Sequence, residues 1–343
     1  MLSFNEIFVD STKYCTKIKT DEYHETGKNI IVDQGQNEIA GYTDLEEGLF
    51  TNVPAIIFGD HTRIIKYVDK PFFIGADGVK VLKSKYEKTN YKYLYYALKN
   101  VKIPNTGYNR HFKWLKEAKI NYPEISKQQK IAATLDKLQS IITHRRIQLE
   151  KLDLLVKARF IEMFGDPITN SKSLETKNLK DVMVLKAGDF TAASDISSEP
   201  TDKNIYPCFG GNGIRGYVSE YNQDGDFSLI GRQGALSGNV QYARGKFKNT
   251  EHALLVTPTI EMNSIWLNQL LLNLDLKRYQ TGAAQPGLSV KNLQEIPIIQ
   301  VEIPEQTQFA DFVKQVDKSK VAVQKELDKA QMLFDSLMQE YFG

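Results

Sequence analysis

A chain of 343 residues with 41% hydrophobic and 25% charged residues can bury two cores, and a net charge of +2 gives no global field for a polyanion. The cysteines, Cys15 and Cys208, are too few for a disulfide framework or a zinc site and fit a reducing, cytoplasmic setting. No apolar run reaches the length of a membrane span, and Met1-Leu2-Ser3-Phe4-Asn5-Glu6 lacks the basic and apolar regions of a signal peptide, so neither is expected.

Residues 1–124 read as a first mixed globule. Short strands are predicted at Ile30–Val32, Ala55–Phe58, Ile64–Val68 and Val79–Leu82, divided by Gly and Asn turns, with a helix over Tyr91–Lys99. A long helix follows over 125–165. Ile131, Leu135, Leu138, Ile142, Leu149, Leu152, Val156 and Met163 form its apolar seam, the pattern of a coiled coil, with Arg145 and Arg159 interrupting. Gly165 fits the position just past a helix end, and Asp166-Pro167 blocks continuation. The second globule, 166–303, offers strands at Phe227–Ile230, Asn239–Tyr242 and Ala253–Thr257 and a helix near Ile265–Leu274. A second long helix, 304–343, carries Phe309, Val313, Val316, Val323, Leu327, Ala330, Phe334, Leu337 and Tyr341, with Lys320 interrupting. The three charged residues in the seams either set the helix register or mark places where the helices turn enough to expose them.

The chain repeats itself. Ala118–Gly165 aligns with Ile296–Gly343 without a gap. Each copy opens on an apolar, proline-containing stretch, continues through a Gln (Gln128, Gln306), and ends in Phe-Gly. Upstream, Gly35–Tyr42 matches Gly210–Tyr217, Ala55–Gly59 matches Ser228–Gly231, and Thr106-Gly107 matches Thr281-Gly282. The order is globule, helix, globule, helix. The expected fold is mixed α+β: two α/β domains with partly antiparallel sheets, separated by two long antiparallel coiled-coil helices in a pseudo-two-fold internal repeat.

Two globules, each followed by a proline-and-Gln entry into a long helix, resemble the specificity subunit of Type I restriction-modification systems. The run Thr281-Gly282-Ala283-Ala284-Gln285-Pro286-Gly287-Leu288-Ser289, leading into Ile296-Pro297 and Pro304-Glu305-Gln306, carries much of the likeness. The first copy, Thr106-Gly107-Tyr108-Asn109-Arg110-His111-Phe112, is shorter and enters its helix through Ser126-Lys127-Gln128. The resemblance implies target-recognition domains that each read one half of a bipartite site in double-stranded DNA, with the helices as a spacer. It implies a subunit without catalytic residues or a cofactor of its own. Two modification (methyltransferase) subunits would supply S-adenosylmethionine chemistry on adenine. Restriction subunits, where present, would use ATP and Mg. A helix of about 38 residues spans roughly 57 Å, and half-sites about 34–36 Å apart present the same groove. A coiled-coil scaffold binding proteins rather than specific DNA is the alternative.

Base readout needs Arg, Lys, Asn or Gln on loops or short elements, and phosphate positioning needs Lys, Arg and hydroxyls. The candidates in the first globule are Gln36, Asn37, His61, Arg63, Asn109, Arg110, His111 and Lys113. Those in the second are Asn212, Arg215, Arg232, Gln233, Asn239, Gln285 and Lys291. Each Arg or Lys also reads as a solvated charge. The Asn and Gly residues near 35–41 and 210–216 read as turn formers, and His61 and His111 as loop or packing residues, with no cluster around them to bind a metal. His144, Arg145 and Arg146 are candidates for docking partner subunits, or else lie on a solvated face. No phosphate-binding GxxxxGK[ST] loop is present, and Asp166-Pro167-Ile168-Thr169 is not an adenine-methyltransferase motif.

Overall fold

The computed structural model describes residues 1–75, 77–107, 109–234, 236–282 and 287–343. The chain forms two compact units, one of Met1–Arg146 with Lys325–Gly343 and one of Ile147–Gln324. Both boundaries fall inside long helices, Ile125–Phe164 and Ile303–Phe342, of 40 residues each. A division at 124, 165 and 303 separates globule from helix. Packing instead gives a part of each helix to each unit.

In the first unit a four-stranded antiparallel sheet has the order Phe8–Asp10, Val79–Ser84, Ala55–Gly59, Ile65–Val68. All of Ala55–Gly59 is buried, so this run is apolar throughout instead of alternating. Successive side chains leave opposite faces of a strand. Ile56 and Phe58 pack with Tyr93, Leu94 and Leu135. Ala55 and Ile57 pack with Val32, Phe72 and Ile74. Val32, Phe72 and Ile74 belong to a second sheet, ordered Gly41–Thr43, Asn29–Val32, Phe72–Ile74, whose last two strands are parallel. The helix Tyr91–Lys99 starts at Asn90, whose side chain accepts the Tyr93 N–H at 2.9 Å. A short antiparallel pair, Leu2–Ser3 with Lys119–Ile120, completes the unit.

The second unit repeats this plan. Its main sheet has the order Met183–Ala187, Ala253–Pro258, Phe227–Gly231, Val240–Ala243. Its second sheet has the order Gly213–Val218, Tyr206–Gly210, Lys246–Asn249, Gln223–Asp224, again with one parallel pairing. The helix Ser264–Asn273 is capped by Asn263, and Thr176–Asn178 pairs with Pro297–Ile299. The Gly210–Tyr217 run, read as turns, makes a hairpin in which Gly210 faces Gly213.

The repeated glutamines are structural. Gln128 is 1% exposed and Gln306 3%. Gln128 Oε1 accepts the Asn90 N–H, and its Nε2 donates to the Pro123 carbonyl. Gln306 does the same with Asn263 and Val301.

Within each unit the helix portions run antiparallel. Arg145 reaches Glu326 at 3.4 Å in the first unit, and in the second Asp153 pairs with Lys320 while Phe160 meets Phe309. Two of the seam charges therefore form cross-helix ion pairs. The third, Arg159, pairs with Glu162 on its own helix and lies over the Phe312 ring. The seam of the first helix ends on Val156, Phe160 and Phe164, with Met163 only partly buried. The reason is that Phe164 also packs edge-on against Trp266 of the globule. Gly165 has φ +79° and donates to the Ile161 carbonyl at 2.8 Å, the left-handed stop expected there.

Candidate nucleic-acid interface

Most of the sequence candidates lie on three of four loops, and the same four loops occur in both units. They follow the first strand of the second sheet, the central strand of the main sheet, the parallel strand of the second sheet, and the helix that covers the main sheet.

In the first unit Gln34 ties three of these loops together. Its Oε1 accepts the His61 N–H at 3.2 Å, its Nε2 donates to the Asp77 carbonyl at 2.8 Å, and its own carbonyl accepts the Thr62 hydroxyl at 2.7 Å. Asp60, 4% exposed, fixes the fourth. Its carboxylate accepts the Phe112 N–H at 2.7 Å, and its carbonyl accepts from His111. His111 is 0% exposed, and its ring nitrogens face the Asp60 carbonyl and the Thr106 hydroxyl. It holds the loop from inside and offers no edge to a base, which removes it from the surface candidates. Gln36, Asn37, Asn109, Arg110 and Lys113 are exposed, and His61 and Arg63 are half-buried. Arg63 has φ +63° and its guanidinium bonds the Ile103 carbonyl at 3.4 Å, so it turns toward the covering helix. The Asn37 carbonyl accepts from Lys66, which is 2% exposed and also 3.5 Å from Asp33. Burial pulls the Lys66 ammonium below the usual lysine range, and Asp33 opposes that shift. Asp77 is held below the usual carboxylate range by its bond to Lys17, with Arg110 and His61 adding to the effect. Lys113 lies over the Trp114 ring on the short helix Phe112–Lys116 that follows the fourth loop.

In the second unit the loops meet through different side chains. The Asn239 amide donates to Asn212 Oδ1 at 2.6 Å. The Arg232 N–H donates to the His252 carbonyl at 3.1 Å, and the Arg232 carbonyl accepts the Leu288 N–H at 2.9 Å. His252 Nδ1 is 2.7 Å from Gln233 Oε1. The hairpin and the central loop are in backbone contact. A Cβ on Gly231 would sit 2.0 Å from the Gly211 carbonyl oxygen, so only glycine allows this approach. Asn212, Arg215, Gln233 and Lys291 are exposed; Arg232 and Asn239 are half-buried. Arg215 extends over Gly210 on the hairpin, and Lys291 stands on the short helix Val290–Gln294 beyond the cluster. Gln285 lies outside the described residues. His144 bonds Ser140 on its own helix, and Arg146 reaches Gln331 at 3.4 Å.

Sequence reasoning missed Gln34, Asp60 and His252. The first two sit beside chosen residues, but their role depends on loops distant in sequence. His252 follows the strand Lys246–Asn249 in a tight turn, and only its pairing with Gln233 brings it into the cluster. Among the described residues no group of His, Cys, Asp and Glu has metal-binding geometry, and no helix is long and apolar enough to cross a membrane.

Duplicated α/β units on long antiparallel helices, each gathering the same four loops with its own polar side chains, define a tandem recognition protein. A family model for the Type I restriction modification DNA specificity domain matches residues 4–151 and again 171–330. The chain belongs to that family. It is 37% identical over 194 residues to the Type I restriction enzyme EcoprrI specificity subunit of Escherichia coli, covering 55% of this chain and 48% of that one. It is 37% identical over 90 residues to the EcoR124I/EcoR124II specificity subunit of Escherichia coli, covering 25% and 22%. The chain thus spans about half, or less, of the length of these curated relatives. A crystal structure of a Type-I restriction-modification S subunit from M. genitalium shares the fold, with TM-score 0.68 at 20% identity over 99% of this chain and 95% of that one. A chain from a study of complex assembly in the type I R-M system superposes with TM-score 0.53 at 16% identity over 99% and 95%.

Proposed function

We propose that this chain is the DNA sequence-specificity subunit of a Type I restriction-modification enzyme. Each unit's four-loop surface reads one half of a bipartite double-stranded site. The long helices fix the spacing of the halves and dock two modification (methyltransferase) subunits. In this reading the chain contributes no catalytic residue. The partner subunits supply the chemistry, S-adenosylmethionine for adenine methylation and ATP with Mg for restriction, and the assembly works in the cytoplasm.

The observation that carries the reading is the duplicated loop cluster with unlike contents. Where the first unit places Asp60 and His61 after its central strand, the second places Arg232 and Gln233. A shared scaffold with different donors and acceptors is what two different half-sites require. The exposed Arg110, Arg215 and Lys291 supply local positive charge for phosphates on a chain whose net charge is only +2. The test is a map of methylated adenine in a host genome, with the partner genes expressed, with and without this chain. A bipartite motif that appears only with the chain is expected. An unchanged map overturns the reading.

A further inference from the structure

We infer that His252 positions Gln233, holding its carboxamide oxygen so that the amide hydrogens are presented to DNA, and that Gln233 therefore reads a guanine or thymine in the second unit's half-site. The inference rests on the DNA-specificity reading above.

Gln233 is exposed on the loop that leaves the central strand of the main sheet, and its backbone bridges to Gly287. The alignment that pairs Gly59 with Gly231 places it opposite His61 of the first unit. It thus stands where three loops meet. Its Oε1 lies 2.7 Å from His252 Nδ1, and among the described residues its Nε2 has no partner. His252 Nε2 lies 3.0 Å from Glu251 Oε1. A carboxylate only accepts, and so does an amide oxygen. A hydrogen on Nδ1 is what the amide oxygen receives. The His252 carbonyl accepts the Arg232 N–H, so the turn that carries the ring is fixed to the loop that carries the glutamine. Gln34 of the first unit shows the contrast: both ends of its amide are spent on backbone groups of neighbouring loops.

A glutamine normally pairs with adenine by using both ends of its amide, accepting from N6 and donating to N7. One lone pair of Oε1 is taken by His252, and that bond fixes the carboxamide with its amide hydrogens as the unengaged end. Two hydrogens remain, and they suit the O6 and N7 acceptors of guanine or the O4 of thymine. Cytosine offers a donor there and is rejected. The amide turned the other way would present Oε1 and select adenine or cytosine.

The test compares adenine-methylation maps for the full-length chain, expressed with its partner genes, as wild type, Gln233→Glu, His252→Ala and His252→Gln. The wild-type motif is expected to contain a position restricted to guanine or thymine that the variants affect. Glu at 233 keeps the oxygen for His252 but carries no hydrogen, so preference at that position moves to cytosine or adenine by about tenfold or more, with the other half-site unchanged. His252→Ala relaxes the same position, and His252→Gln, which retains an N–H donor, restores it. If His252→Ala abolishes all methylation through misfolding, Gln233→Glu decides, since it alters an exposed side chain. An unchanged motif in Gln233→Glu, His252 variants that act at another position, or a wild-type requirement for adenine or cytosine there overturns the inference and leaves the specificity reading standing. A wild-type chain that produces no bipartite motif overturns both.

Discussion

Gln128 accepts the backbone N–H of Asn90 at 3.0 Å. Asn90 is itself the cap of Tyr91–Lys99, so one buried carboxamide joins the entry of a long helix to the start of the helix that covers the sheet. Gln306 and Asn263 repeat the relationship at 2.8 Å. Gln128→Leu leaves the half-buried Asn90 N–H and Pro123 carbonyl without their partners, and about 1–2 kcal/mol of stability is expected to be lost. The two tryptophans separate the units, Trp114 in the first and Trp266 in the second. Urea unfolding followed by fluorescence should show the loss in a chain retaining only Trp114. Gln306→Leu should show it with only Trp266.

Alkaline pH should unfold the first unit through its buried tyrosines. Burial pushes the Tyr93 hydroxyl up to about 12. Tyr96 is raised too, by burial first and then by its bond to Asp136. In the unfolded chain these groups ionise near 10. The folded state therefore holds its protons longer, and this stabilisation is complete below about pH 10 and lost as pH rises through the folded values. Lys66 and Lys83, both lowered by burial, give the opposite slope below their unfolded value. Tyr93→Phe is expected to flatten the fall in stability between about pH 10 and 12, measured by urea midpoints across that range.

Gly231→Ala should damage the second loop cluster selectively. The added carbon meets a backbone oxygen at 2.0 Å, and neither backbone can yield without moving its loop. A loss of about 1–3 kcal/mol is expected, visible in Trp266 fluorescence on unfolding. The methylated motif should loosen in one half only.

Arg110 and His111 are neighbours with opposite expected behaviour. Arg110 is exposed and His111 is buried with both ring nitrogens engaged. Arg110→Ala should weaken DNA binding by the assembled enzyme across sequences and reduce the salt slope by about one. His111→Ala should lower stability by about 2 kcal/mol, the cost of unpaired buried groups and a small void, without removing a charge from the binding surface. Affinity titrations at several salt concentrations, together with thermal unfolding, check both.

The sequence revealed what repeats locally. Apolar periodicity located both long helices, and the run Ala55–Phe58 reads as a strand, which the fold buries on both faces. Of the second sheets only Ile30–Val32 was legible. Gly213–Val218 contains two glycines and two exposed residues, and becomes a strand only by pairing with Tyr206–Gly210. Phe72–Ile74 is too short to show a period and is defined by its parallel partner Asn29–Val32. In the candidate site, residue type and loop position brought out Gln233, Asn239 and Arg232. Whether a side chain faces outward, as Arg110 does, or inward, as His111 does, depends on contacts such as Asp60 to Phe112 that span 52 residues. No local pattern carries that information.

The core of the first unit includes Ala330, Phe334 and Met338, and the Phe342 ring lies 5.2 Å from that of Tyr93. The second unit, Ile147–Gln324, is a continuous stretch. During synthesis the order of completion is therefore inverted. The ribosome delivers everything the second unit needs before Lys325, while the first unit waits, with an apolar face uncovered, for residues 325–343. A premature stop after Gln324 would spare the later-made unit and cripple the earlier one, and the nascent first unit is where a chaperone would be needed most.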